Sequence, residues 1–144
     1  MATATYRRSN LLVAASSAAG LPVVWGAWCR GRCLAASLVA CEMVVYTLVH
    51  LAGAKYGPPD TRRFARHATA LLWLDRAATL LASVCLLNAV AFAEATHACC
   101  MAAEGLVGLA LLWRSERLPL PGYVPWQAAW HVLMYHTLYL AVTH

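Results

Sequence analysis

Charge is what this sequence has least of. Only 12% of its 144 residues are Asp, Glu, Lys or Arg, and acidic residues number six. A soluble globular domain is roughly 25% charged and about 45–50% apolar, whereas this chain is 62% apolar. A chain of this size cannot hide that much apolar surface in a core of its own. An ordinary soluble domain is thereby excluded, and lipid becomes the expected solvent. Acidic residues are scarcer than basic ones, leaving a net charge of +5. The basic residues flank the apolar runs and do not interleave with aromatics, so they read as loop charges that set orientation, and no nucleic-acid partner is expected. Internal repeats, heptads and low-complexity tracts are also missing. So is any pair of matching Cys-x2-Cys motifs: Cys29 and Cys33 stand in a C-x3-C spacing with no second pair, while Cys41, Cys85, Cys99 and Cys100 are scattered. The cysteines read first as small apolar packing residues. The adjacent Cys99 and Cys100, at a helix start, also suit palmitoylation.

What is present is a series of five apolar segments, roughly 10–29, 33–53, 69–93, 97–113 and 124–143. Each is about 17–25 residues long, the length a helix needs to cross ~30 Å of hydrocarbon. The expected fold is therefore all-α: a single transmembrane domain over residues 1–144, a polytopic bundle of about five helices. The first segment has a second reading. Arg7-Arg8 followed by `LLVAASSAAG` looks like a signal peptide with a small-residue cleavage site, which would leave four spans. `LPVVWGAW` continues the run without a polar break, which favours a retained span. The connections are `RGR` (30–32), `AKYGPPDTRRFAR` (54–66) with Gly57-Pro58-Pro59 as its breaker, `AEAT`, and `RSERLPLPG` (114–122). With five spans, one side carries Arg7, Arg8, Lys55, Arg62, Arg63, Arg66, Arg114 and Arg117, and the other only Arg30 and Arg32. That bias predicts a cytoplasmic N-terminus.

Ionisable groups at membrane depth are costly and usually face a partner, a cavity or the bundle interior. The candidates are Glu42, His50, Asp75, Arg76, Glu104, His131 and His136. Glu42, Tyr46 and His50 recur at i, i+4, i+8 and share a stripe about 80° wide at ~100° per residue. That stripe is either the wall of a site or, at its His50 end, a reach to the interface. Asp75-Arg76 is an intramembrane acid and base, or a pair of flanking charges if the span begins near Ala77. Glu104 is mid-span and expects a partner such as Arg76 or a histidine, most simply in an interhelix hydrogen bond. In `PWQAAWHVLMYH` (125–136), Gln127 and His131 lie one turn apart on one face, while His136 points about 140° away from His131. His131 and His50 together supply two imidazoles, and glutamine is a poor zinc ligand.

These motifs resemble those of the CREST superfamily, which contains the alkaline ceramidases, the adiponectin-receptor-type proteins and the myomaker group. `QAAWHVL` is similar to its closing His-Ala-x-Trp-His pattern, `YTLVH` (46–50) to its Ser-x-x-x-His signature, and `LDRAATLLASV`, with Asp75, to its Asp-bearing helix. `GLPVVWGAWCRGR` resembles the Pro-then-basic pattern of the myomaker group, to which the likeness is nearest. In members with the full set, three histidines hold zinc beside the serine and aspartate, and the metal-bound water attacks an amide or ester. The resemblance thus implies His50 and His131 as metal ligands, Asp75 as the nearby catalytic acid and Gln127 at a ligand position. Tyr46 stands where serine is expected and Gln127 where a third histidine is. The chain is about two spans short of seven, and its charge bias opposes the orientation usual in the myomaker group.

Three functions follow as expectations. The favoured one is a noncatalytic, shortened relative acting through helix association with membrane-protein partners or further copies of itself. Small-residue stretches such as `LVAASSAAG` and `LAASLVA` allow close helix approach. The second is a zinc-dependent intramembrane hydrolase of lipid amides or esters. The third is a haem-b electron carrier with axial ligands drawn from His50, His131 and His136.

Overall fold

The computed structural model describes residues 2–52, 67–119 and 122–143. Among them every regular element is a helix: α1 (Ala2–Ser16), a 3-10 turn (Ser17–Gly20), α2 (Leu21–Cys29), α3 (Cys33–Ala52), α4 (Ala68–Phe92), α5 (Ala95–Glu116) and α6 (Tyr123–Thr143). The all-α expectation holds. The loop 54–66, with Gly57-Pro58-Pro59 and the charges Lys55, Arg62, Arg63 and Arg66, lies outside the described residues.

The first apolar segment is not one uniform helix. Pro22 has no N–H for the Ala18 carbonyl, and the Leu21 N–H bonds that carbonyl three residues back instead. Upstream, the Ser16 and Ser17 hydroxyls lie 2.6 and 2.7 Å from the carbonyls of Val13 and Ala14, also at i−3. Together these tighten one turn to 3-10 geometry between α1 and α2. The `RGR` connection is a Schellman ending. Gly31 takes φ 71°, its N–H reaches Trp28 O at 2.9 Å, and the Arg32 N–H reaches Ala27 O at 2.9 Å. Chain direction reverses there within two residues, and Arg32 closes the corner by donating to Ala141 O at 3.1 Å.

Four stretches are long and apolar enough to cross a membrane: Arg8–Cys29, Cys33–Ala52, Thr69–Phe92 and Ala95–Glu116. The chain is thus a helical membrane protein. α6 has the length but falls outside that set, because its Gln, His, Tyr and Trp side chains lower its mean hydropathy. Its place in the bundle supplies the reason. α6 packs against α5 most extensively, and also against α1, α2, the 3-10 turn and α4. Tyr123, Gln127, Trp130, His131, Tyr135, Thr137, Leu138 and Val142 are all buried along it. A helix surrounded by protein can carry polar side chains that a lipid-facing helix cannot.

Two apolar clusters surround α6. One joins Val23 and Ala27 of α2, Ala36 and Val39 of α3, and Tyr135, Leu138 and Val142 of α6. The other joins Val13, Tyr46 and Tyr123. The small-residue stretches are used within this packing: Ala14, Ser17 and Gly20 from the first and Ala36 from the second are buried. α4 differs. It packs chiefly on α3, and none of its membrane-length window is buried. Trp73, Leu80, Leu87 and Phe92 all point outward from it. Aromatic–basic pairs mark one end of the bundle, where Arg117 lies 3.7 Å over Trp113 and Arg114 5.8 Å over Trp126. Exposed Trp25 and Trp28 stand beside Arg30 at the other, as expected of interfacial belts.

Gly20 is the tightest approach. A Cβ there would lie 2.6 Å from Met43 Sδ and 2.9 Å from a Tyr135 ring carbon, whereas one on Gly105 would meet nothing within 4 Å. Gly20→Leu is therefore expected to destabilise the bundle by about 1–3 kcal/mol through overpacking. Gly105→Ala should cost nothing and gain up to about 1 kcal/mol of helix stability. Thermal unfolding of the two variants in detergent micelles checks the contrast.

Candidate functional site: the buried polar cluster around Tyr46

The α3 stripe faces inward as its spacing predicts. Tyr46 and His50 are buried and Glu42 is half-buried. Tyr46 is the centre of the cluster. Its ring meets His50 at 4.3 Å between centroids, tilted by 42°, and His131 at 4.0 Å edge-on, at 87°. Tyr123 stacks with His50 at 6.4 Å, and Tyr135 lies 6.3 Å from His131.

Gln127 and His131 share a face of α6, as expected, and both are buried. Gln127 bridges three helices. Its amide oxygen lies 2.7 Å from Ser115 Oγ on α5, and its amide nitrogen 3.0 Å from Tyr46 OH on α3. Ser115 Oγ also lies 2.7 Å from the Leu112 carbonyl. One hydroxyl proton serves one of those two acceptors at a time. Turning the amide over lets the nitrogen donate to Ser115, Ser115 donate to Leu112, and Tyr46 donate to the amide oxygen. Each proton then has its own acceptor.

His131 is held from the opposite side. Its Nδ1 lies 2.6 Å from Ser16 Oγ, the residue that opens the 3-10 turn. Ser16 Oγ is also 2.6 Å from the Val13 carbonyl. With the Ser16 proton on that carbonyl, Nδ1–H donates to Oγ and Nε2 carries the lone pair. Nε2 is buried with no hydrogen-bond partner, as are Glu42 Oε2 and Asp75 Oδ1. Tyr135 lies near the Glu42 carboxyl. Asp75 is within electrostatic range of Glu42, Tyr46 and Tyr135. α4 begins at Ala68, so Asp75 and Arg76 lie two turns inside it, and only Asp75 is partly buried.

Glu104 and His136 form a separate site. His136 Nδ1 lies 3.0 Å from Glu104 Oε2, and Thr137 Oγ1 is also 3.0 Å from that oxygen. This is the interhelix pairing expected of Glu104, and it points away from Tyr46.

No family model, curated protein or solved structure matches this chain.

Residues that the sequence singled out for a metal site, His50, His131, Asp75 and Gln127, do lie around one cluster. Their arrangement is another matter. Tyr46 lies against both imidazoles, and the Gln127 amide is turned onto Tyr46 and Ser115. Among the described residues no three His, Cys, Asp or Glu side chains gather so as to hold a metal ion. The donors do not fit a three-ligand zinc centre. Sequence reasoning missed Ser16, Ser115 and Tyr135. Ser115 fell in an expected loop, but α5 runs on to Glu116. Ser16 was read only as a small residue, although its hydroxyl next to a Pro-induced break was a usable signal.

If Gln127 is a strut between helices, its loss and that of Tyr46 OH should be coupled. Gln127→Leu and Tyr46→Phe are each expected to destabilise, and the double variant to lose less than the sum. The coupling should be about 0.6–1.7 kcal/mol, the range of interhelical hydrogen bonds in membranes. A double-mutant cycle of unfolding in micelles measures it.

Proposed function

We propose that the chain is a multi-pass membrane protein of five spans, with a cytoplasmic N-terminus, that acts noncatalytically through helix association. We further propose CREST ancestry, with the metal site given over to structure. The observation that carries this reading is Gln127. At the position where that family's pattern wants an imidazole, this chain has an amide that links α3, α5 and α6 through Tyr46 and Ser115. Tyr46, at the position of the pattern's serine, supplies both the hydroxyl that bonds the amide and the ring that packs on His50 and His131. The two departures from the pattern thus touch each other and compensate. α6 enters as the fifth span on its length and its central place, with Gln127, His131 and Thr137 turned to protein and His136 paired with Glu104. The outward face of α4 leaves an apolar surface for lipid or a partner helix.

One observation favours the hydrolase reading instead. His131 has its Nδ1 engaged by Ser16 and its Nε2 bare and buried, the disposition of a histidine prepared for a metal.

Elemental analysis of the purified protein, with His131→Ala alongside, separates the two readings. The noncatalytic reading expects well under one zinc per chain in both proteins, and partner association unchanged by His131→Ala. One zinc per chain that disappears in His131→Ala, with hydrolysis of a lipid amide or ester that disappears with it, overturns it.

A further inference from the structure

The Glu104–His136 pair is on the wrong side of the bundle for a buried ion pair. Its side chains are 25% and 54% exposed. Glu104 stands near the middle of α5 and His136 past the middle of α6, so the exposed surface around them faces hydrocarbon. Ionisable groups at that depth almost always face a bundle interior, a cavity or one another. Here they do meet, but only in part. Both contacts to Glu104 use Oε2, and the contact to His136 uses Nδ1. No other hydrogen bond described for these residues reaches Glu104 Oε1 or His136 Nε2.

Those two atoms complement each other. In the imidazolium–carboxylate form, Nε2–H donates and Oε1 accepts. With the proton moved to the carboxyl, Oε1–H donates and Nε2 accepts. Whichever group holds the proton, one outward atom is a donor and the other an acceptor. A surface that carries one of each can satisfy itself across a two-fold axis, because residue i then meets residue j and j meets i. The axis must run along the bilayer normal. The two groups are 3.0 Å apart and so at one depth, and such an axis brings the second copy's pair to that same level. The surroundings permit close approach. Val132 and Ala129, one and two turns before His136, are exposed, and so is Cys100, one turn before Glu104.

We propose that the α5–α6 seam is a self-association face. A second copy of this chain covers it, its Glu104 accepting from or donating to His136 of the first and the reverse. This deepens the helix-association reading and names its first partner. The two can fail separately. A monomeric chain without zinc or hydrolase activity sinks the seam alone, and a zinc hydrolase that still pairs through the seam sinks only the noncatalytic reading.

Single-molecule photobleaching of the full-length protein, diluted in phosphatidylcholine vesicles, reads the association directly. Wild type is expected to be dimeric, and His136→Ala to weaken the dimer roughly tenfold, the effect of losing two interhelical hydrogen bonds. Two complementary variants guard against a mere folding defect. His136→Glu leaves two carboxyls on the face and Glu104→His two imidazoles. Neither should pair with itself, yet the mixture of the two should pair. Val132→Trp blocks the face without touching the ion pair and should give monomers, whereas Val84→Trp on the outward side of α4 should not. A monomeric wild type overturns the proposal. So does a dimer indifferent to Val132→Trp, or a failure of the two charge variants to pair while both keep wild-type helicity.

Discussion

In hydrocarbon a polar atom has only protein to bond with, and that constraint falls almost wholly on α6. Gln127 reaches Tyr46 on α3 and Ser115 on α5, and His131 reaches Ser16 on α1. His136 and Thr137 both reach Glu104 on α5. Each such bond contributes little, on average about 0.6 kcal/mol in a membrane. Their joint effect is geometric. Each fixes a depth and a rotation for one neighbour of α6, which apolar contacts alone specify weakly. α4 is the counterexample within the same molecule. It is tied to α6 by no hydrogen bond among those described, it packs chiefly on one neighbour, and it stays outward on nearly every side.

The break in the first span belongs to this arrangement. Pro22 forces the turn before it to tighten, and that turn presents Ser16 to His131, Ser17 to Thr47 at 2.8 Å, and Gly20 to Met43 and Tyr135. An uninterrupted α-helix would rotate these three positions away from the relation they have here. The break thus serves the cluster around Tyr46 in two ways: it supplies the hydrogen bond that sets the His131 tautomer, and the closeness that holds Tyr135 against Glu42.

Much of this was legible in the sequence where a periodicity met a cost. The stripe of Glu42, Tyr46 and His50, the shared face of Gln127 and His131, and the divergence of His136 follow from helix geometry applied to residues that lipid would exclude. From α3 onward the helix bounds lie within a few residues of the apolar segments, whereas α1 begins at Ala2, well before the first segment, and that segment is split by a 3-10 turn. The partners were not legible. Serine is nearly neutral in hydropathy, so neither Ser16 in its small-residue run nor Ser115 beside a charged loop announces which helix it will meet. Tyr135 was hidden among aromatics. The pairing of Glu104 with a histidine was expected in kind, but choosing His136 required knowing that α5 and α6 are the most closely packed helices. Sequence also invites the same reading of Tyr46 and Gln127 as two separate losses from a metal motif. Only their contact joins the two side chains into one arrangement.

α6 therefore presents polar groups in two directions, and the two differ in how completely this chain satisfies them. Inward, the Gln127 amide is closed by its own neighbours, while Nε2 of His131 is buried within the bundle. Outward, the pair of Glu104 and His136 is half satisfied and only partly covered. The inward deficit is shielded by folding. The outward one is not, since none of the other described side chains hydrogen-bonds the two remaining atoms. On the proposed self-association, the constraint that orders the helices within one chain carries on beyond it, since the atoms left over are of the two kinds that an identical surface supplies.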